Sequence, residues 1–146
     1  MAAGRGRHWD WLAAAAGLLF GIGAFLYWWR SNDDNWRGIS YLGMEGWVIL
    51  LAALMAMAVP FVARMRQTAG RIQQYRMTVA LVTLLALAET IFRMADPPEF
   101  DSFSDVPVTL KPGAWISLIA AVAILLFLAA GMRATLARRP ARSATA

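Results

Sequence analysis

The chain has 146 residues, of which 60% are hydrophobic and only 16% charged, where a soluble domain of this size is about a quarter charged. The formal net charge is +5, but the arginines stand at the ends of apolar blocks, as orientation signals do, so nucleic acid is not an expected partner. The absence of cysteine excludes disulfides, thiol redox chemistry, Fe–S clusters and cysteine nucleophiles.

Residues 1–8 are short, basic and Gly-rich. The first apolar block follows at 11–29. A basic start before an apolar middle is the layout of a secretory signal, but no small-residue cleavage site follows the apolar run. The block closes instead on Tyr27, Trp28, Trp29 and Arg30, an interfacial anchor, which predicts an uncleaved first span. Residues 30–45 are polar, with Asp33, Asp34, Gly38 and Gly43, and read as a loop. The second block is 46–63; Pro60, in its last turns, removes one backbone hydrogen bond and predicts a kink. A connector with Arg64, Arg66, Arg71 and Arg76 and no acids comes next, with Gly70 as its expected turn.

The third block is 77–95. It is followed by a Pro-rich acidic segment, 96–112, in which Val106, Val108 and Leu110 alternate as in a short strand. Residues 39–42 are its expected partner in a small outer pairing. The fourth block is 113–132, and a basic tail closes the chain, with 140–146 expected to be disordered. Each block matches the roughly 20 residues needed to cross a hydrocarbon core of about 30 Å. No amphipathic helices remain to cover four buried core helices. The expected fold class is therefore an all-α membrane protein. It is a four-helix transmembrane bundle forming a single domain over 1–139, with a small extracytoplasmic loop cap.

Charge predicts the orientation. With both termini on one side, that side collects Arg5, Arg7, Arg64, Arg66, Arg71, Arg76, Arg133, Arg138, Arg139 and Arg142. The other side has Arg30, Arg37 and Lys111 among Asp33, Asp34, Glu45, Asp96, Glu99, Asp101 and Asp105. Ten basic residues against three place both termini in the cytoplasm and leave an acidic outer surface. Trp28, Trp29, Trp47 and Trp115 fall at outer span ends, and Trp9, Trp11 and Tyr75 at inner ones. There the indole body is apolar and its N–H stays wet, so Trp11, Trp28, Trp29, Trp47 and Trp115 are read as interface anchors.

The candidate polar site lies inside the third block. Glu89 sits about 4.5 Å outward of its middle at helical rise, where a charge costs roughly 2.5–3.5 kcal/mol on insertion scales. Arg93 is four residues on, the spacing of a helical ion pair. Thr78, Val82, Ala86, Glu89, Arg93 and Asp96 fall on one stripe, which should point into the bundle. Two readings compete: a proton or cation site at Glu89, Arg93 and Thr78, or a structural pair with Arg93 snorkelling outward. In the first span Ala13, Gly17 and Gly21 recur at four-residue spacing, which lets another backbone approach closely; Ala52 and Ala56 are the candidate counterpart.

Other chemistry finds no support. His8 is the sole histidine, so a bis-histidine haem or a multi-histidine metal site cannot form within one chain. No phosphate-binding Gly-rich loop follows a strand, the serines lack a His/Asp context, and the acidic loop does not have EF-hand spacing. No cofactor and no metal are expected.

Two stretches carry a resemblance. FLYWWRSNDDNWRGISYLGMEGWVILL, at 25–51, sets an aromatic span end, a polar Gly-containing loop and a Gly-Trp entry into the second span. VPVTLKPGAWISLIAAVAILLFLAAG, at 106–131, sets a short extended segment and Pro-Gly before an apolar span. Together they resemble small four-span integral membrane proteins of actinobacterial type, most of them uncharacterised. The resemblance implies the four-span layout and the outer loops; it implies no reaction and no catalytic residues. The expected function is that of an accessory, scaffolding or regulatory protein of the plasma or inner membrane, within a larger envelope complex. The alternative is a small transporter or channel component using Glu89, and an enzyme is the least favoured. The expected partners are the lipid bilayer and a membrane protein or a second copy of the chain.

Overall fold

The computed structural model describes residues 7–31, 34–37, 46–65, 69–95 and 109–137. Four long helices dominate: α1 (Arg7–Phe25), α2 (Gly46–Arg64), α3 (Ala69–Ala95) and α4 (Pro112–Leu136). Three short strands accompany them: β1 (Tyr27–Ser31), β2 (Asp34–Arg37) and β3 (Thr109–Leu110). α1 packs on α2 and α4, and α3 packs on the same two helices. Neighbours run in opposite directions. Trp11 meets Phe61 at one end of the α1–α2 seam, and Gly21 faces Ala53 further along it. The start of α1, the end of α2, the start of α3 and the end of α4 therefore share one end of the molecule, and the strands lie at the other.

Small residues and a few large ones fill the shared core. Ala13, Ala16, Ala24, Ala52, Ala53, Ala56, Ala86, Ala120 and Ala121 are buried, with Phe20, Trp28, Ile49, Ile124 and Leu128 among them. The exterior is the apolar side. Leu18, Leu19, Ile22 and Phe25 of α1 are exposed, as are Leu51, Leu54 and Phe61 of α2, Leu81, Leu84, Leu85 and Phe92 of α3, and Ile119 and Leu126 of α4. A water-soluble monomer rarely shows apolar patches of that extent. The chain is thus mainly helical, and Gly46–Arg64, Gly70–Ala95 and Pro112–Leu136 are long and apolar enough to cross a membrane. α1 is not among these three, because its first turn holds His8, Trp9 and Asp10.

The first span differs from the expected 11–29: helix runs from Arg7 to Phe25, and Tyr27 opens a strand. The residues expected to anchor a helix end, Tyr27 to Trp29, are aromatic and fit a pleated strand well. β1 pairs antiparallel with β2, in a register joining Trp29 to Trp36 and Ser31 to Asp34. A bulge occurs between Tyr27 and Trp29. On its other edge β1 pairs antiparallel with β3, Trp29 opposite Leu110. The expected strand at Leu110 is therefore present, but its partner is the 27–31 segment; residues 39–42 lie outside the described residues. The remaining blocks extend as helix to Arg64, back to Ala69 and on to Leu136. Gly70 is in the first turn of α3, not at a turn, and Pro60 is inside α2 and buried. The expected tail at 140–146 lies outside the described residues.

Candidate functional site

The most concentrated polar chemistry among the described residues is at the end where α1 starts, between α1, α3 and α4. Asp10 belongs to the first turn of α1. Arg76 reaches it from α3, with Nη2 donating to Oδ1 and Oδ2 at 2.8 Å each and Nε donating to Oδ1 at 3.1 Å. Nη1 donates to the Thr135 hydroxyl at 2.9 Å and to the Gly131 carbonyl at 3.4 Å, both on α4. Thr135 in turn donates to the Gly131 carbonyl at 2.8 Å. A guanidinium has five N–H groups, and these contacts engage Nε once and each terminal nitrogen twice.

Both charged side chains are only 5% exposed. Taking two charges out of water is costly, and their attraction offsets this only with close geometry and satisfied remaining donors. The helix ends contribute. Asp10 lies at the positive end of the α1 dipole, and Arg76 lies against the last turns of α4, where the dipole is negative. The guanidinium lies against α4 at Gly131: a Cβ there would stand 3.6 Å from Asp10 Oδ1 and 3.7 Å from Arg76 Cζ, ordinary contact distances, so the approach does not depend on glycine. The pair binds three helices together at one end. Neither residue stands out in the sequence, where Asp10 is a lone acid before an apolar block and Arg76 one of four connector arginines. The signal present there is an unpaired acid among arginine-rich block ends.

The sequence-predicted polar stripe is placed differently. Arg93 Nε donates to Glu89 Oε1 at 2.7 Å, with both side chains 22% exposed. Thr78 is exposed and donates to the Gln74 carbonyl. The stripe that α3 turns inward is Arg76, Val79, Thr83, Ala86 and Thr90. Its centre is about 80° round the helix from that of Thr78, Val82, Ala86, Glu89 and Arg93, at roughly 100° per residue. Glu89 and Arg93 thus sit at the rim of the packed face, and the two buried threonines are ones the predicted stripe does not contain. Thr83 donates to the Val79 carbonyl and Thr90 to the Ala86 carbonyl, so each hydroxyl is satisfied within its own helix.

Ala13, Gly17 and Gly21 lie on the side of α1 that meets α2 or the core. A Cβ on Gly17 would stand 2.9 Å from the Ala53 carbonyl oxygen and 2.9 Å from Ala56 Cβ, so the close approach is made within one chain. At Gly21 the nearest atom is Ala53 Cβ at 3.5 Å, and an apolar groove opens there between Leu18, Ile22, Phe25, Leu50, Leu54 and Met57.

Of the expected anchors, Trp11, Trp47 and Trp115 are exposed, at helix ends. Trp29 lies in β1. Trp28 is a correction: it is fully buried, and its indole N–H donates to the Gly23 carbonyl at 2.8 Å. The bulge in β1 accounts for this, since an extra residue re-aims a side chain. The indole closes the core beneath the sheet and shares the Gly23 carbonyl, at the end of α1, with the Leu26 N–H, which donates to it at 3.2 Å. The Trp28 carbonyl accepts the Lys111 N–H at 2.7 Å, which ties β1 to the start of α4.

Among the described residues no cluster of His, Asp and Glu has the composition of a metal site. Comparisons with protein-family models, characterised proteins and solved structures find no match to this chain.

Proposed function

We propose that the chain is a four-span integral membrane protein with both termini in the cytoplasm, acting as an accessory or scaffolding component of a larger envelope complex. The observation that carries the membrane reading is the inverted polarity of the molecule. All four helices turn large apolar side chains outward, α1 included from Leu12 to Phe25, and Asp10 in the first turn of α1 is paired inside with Arg76. α1 is about 28 Å long at 1.5 Å per residue, close to the hydrocarbon thickness. The orientation rests on the arginine count, and Arg64, Arg71, Arg76 and Arg133 all lie at the end where α1 begins.

The accessory role is supported by how the interior is used. Its core is alanine-rich and apolar; Asp10 pairs with Arg76, which also donates to α4, Thr83 and Thr90 bond their own helix, and the buried Ser117 hydroxyl makes no hydrogen bond among the described residues. Such an interior suits packing and partner presentation more than passage of a solute. The second reading, a transport role for Glu89, draws on the half-buried Glu89–Arg93 pair in the apolar part of α3. Two measurements decide between them. Reconstituted protein should show background proton and cation flux, and protein extracted in mild detergent should carry a stoichiometric membrane partner. Flux above background that Glu89→Gln abolishes, with no partner retained, would reverse the order.

A further inference from the structure

Asp10 is the single acid that the sequence places at the arginine-rich end, and Arg76 occupies both its oxygens. The charge of the remaining arginines there is uncompensated by it. Arg64, Arg71 and Arg133 are exposed, and Arg64 is set apart from the other two by its surroundings. Its guanidinium carbon stands 5.1 Å from the centroid of the Trp11 ring, and it forms no ion pair among the described residues. Trp11 is held edge-on to Phe61, centroids 5.7 Å apart at 70°. A recess of about 10 Å³ lies beside Trp11, lined by Asp10, Trp11, Pro60, Ala63 and Arg64, enough for about one water. Phe61 and Met65 are exposed beside it.

We propose that this α1–α2 seam binds the phosphate headgroup of an anionic phospholipid in the leaflet at the arginine-rich end. The proposal rests on the membrane reading above. A guanidinium recognises phosphate through paired N–H donors. The indole face holds that guanidinium in place by cation–π attraction, which lowers the entropy lost on binding. Trp11 is also the residue type that settles at headgroup depth. The exposed Phe61 ring continues the cluster toward the apolar exterior, where an acyl chain would lie. That continuity favours a lipid over a free phosphate. Basic pockets between helices at the cytoplasmic side take anionic headgroups in this way.

Native mass spectrometry of the full chain tests this, using phosphatidylglycerol and phosphatidylcholine with identical acyl chains. The wild type should prefer the anionic lipid. Arg64→Gln should cut that preference about fivefold, the equivalent of one basic residue at a charged leaflet, and Trp11→Leu should also reduce it. Arg133→Gln should leave it unchanged. Circular dichroism and the thermal midpoint in detergent check that the variants fold; Arg64 is exposed, so its substitution should leave both unchanged. Three results overturn the proposal: preference retained in Arg64→Gln, equal loss in Arg133→Gln, or glycerol phosphate alone binding as tightly as the lipid. Carbonate extraction separates the two levels. Release of the chain from membranes would sink the membrane reading itself, whereas a retained chain without lipid preference would sink only this site.

Discussion

Arg76 makes five hydrogen bonds, and Asp10 accepts three of them. Removing one partner strands the other charge in a buried place, which costs more than the pair's net contribution. Arg76→Leu should therefore lower stability by about 3–5 kcal/mol, measured by reversible unfolding in micelles. Combining it with Asp10→Leu should recover most of that loss, because the stranded carboxylate is gone. Glu89→Gln should cost under ~1 kcal/mol, as its pair with Arg93 is part-exposed and lies along a single helix. The ranking was not legible in the sequence, where Glu89 and Arg93 stand out inside an apolar block while Asp10 lies at an edge. Four-residue spacing reveals a pair within one helix. A pair separated by 66 residues is formed only by packing.

Helix contacts depend on where side chains are missing. A Cβ at Gly17 would press on the Ala53 carbonyl, at Gly113 on the Tyr27 carbonyl at 2.6 Å, and at Gly23 on the Ser117 side chain and backbone. Alanine at any of the three should destabilise by about 1–3 kcal/mol through overpacking. Gly131→Ala meets only ordinary contact distances and Gly70→Ala meets open space. Both should be neutral or stabilising by up to about 1 kcal/mol, since glycine is a poor helix former. A melting series of the five variants checks the order. Trp28→Ala removes a fully buried indole and its bond to Gly23. It should cost about 3–5 kcal/mol and loosen β1 from α4, measured as faster amide exchange at Lys111. The four-residue spacing in the first apolar block points to Gly17. Gly23 and Gly113 give no comparable signal, because their neighbours come from α4 and the β1 segment.

At the scale of the whole molecule, the number of crossings decides where the ends lie. The four-span proposal requires α1 to cross, although its first turn is polar. Reporters fused before Met1 and after Ala146 should then report the same, cytoplasmic side. With three crossings they would report opposite sides, and α1 would lie at the surface. The apolar outward face of α1 and the inward pairing of Asp10 favour crossing. A reporter inserted in the 96–108 segment should report the opposite face from both ends.

Hydropathy and charge order determined the number of apolar blocks, their approximate limits and the side on which arginine accumulates. Those are local or additive properties of the chain, so they can be read without packing. Tertiary structure decided that Trp28 is core, that the sheet is built on Tyr27–Ser31 and that α3 turns Thr83 and Thr90 inward in place of Thr78 and Glu89. It also decided that Asp10 meets Arg76. Each of these depends on which face of one segment meets another, and an apolar span with apolar residues on every side carries no period strong enough to tell its inner face from its outer one.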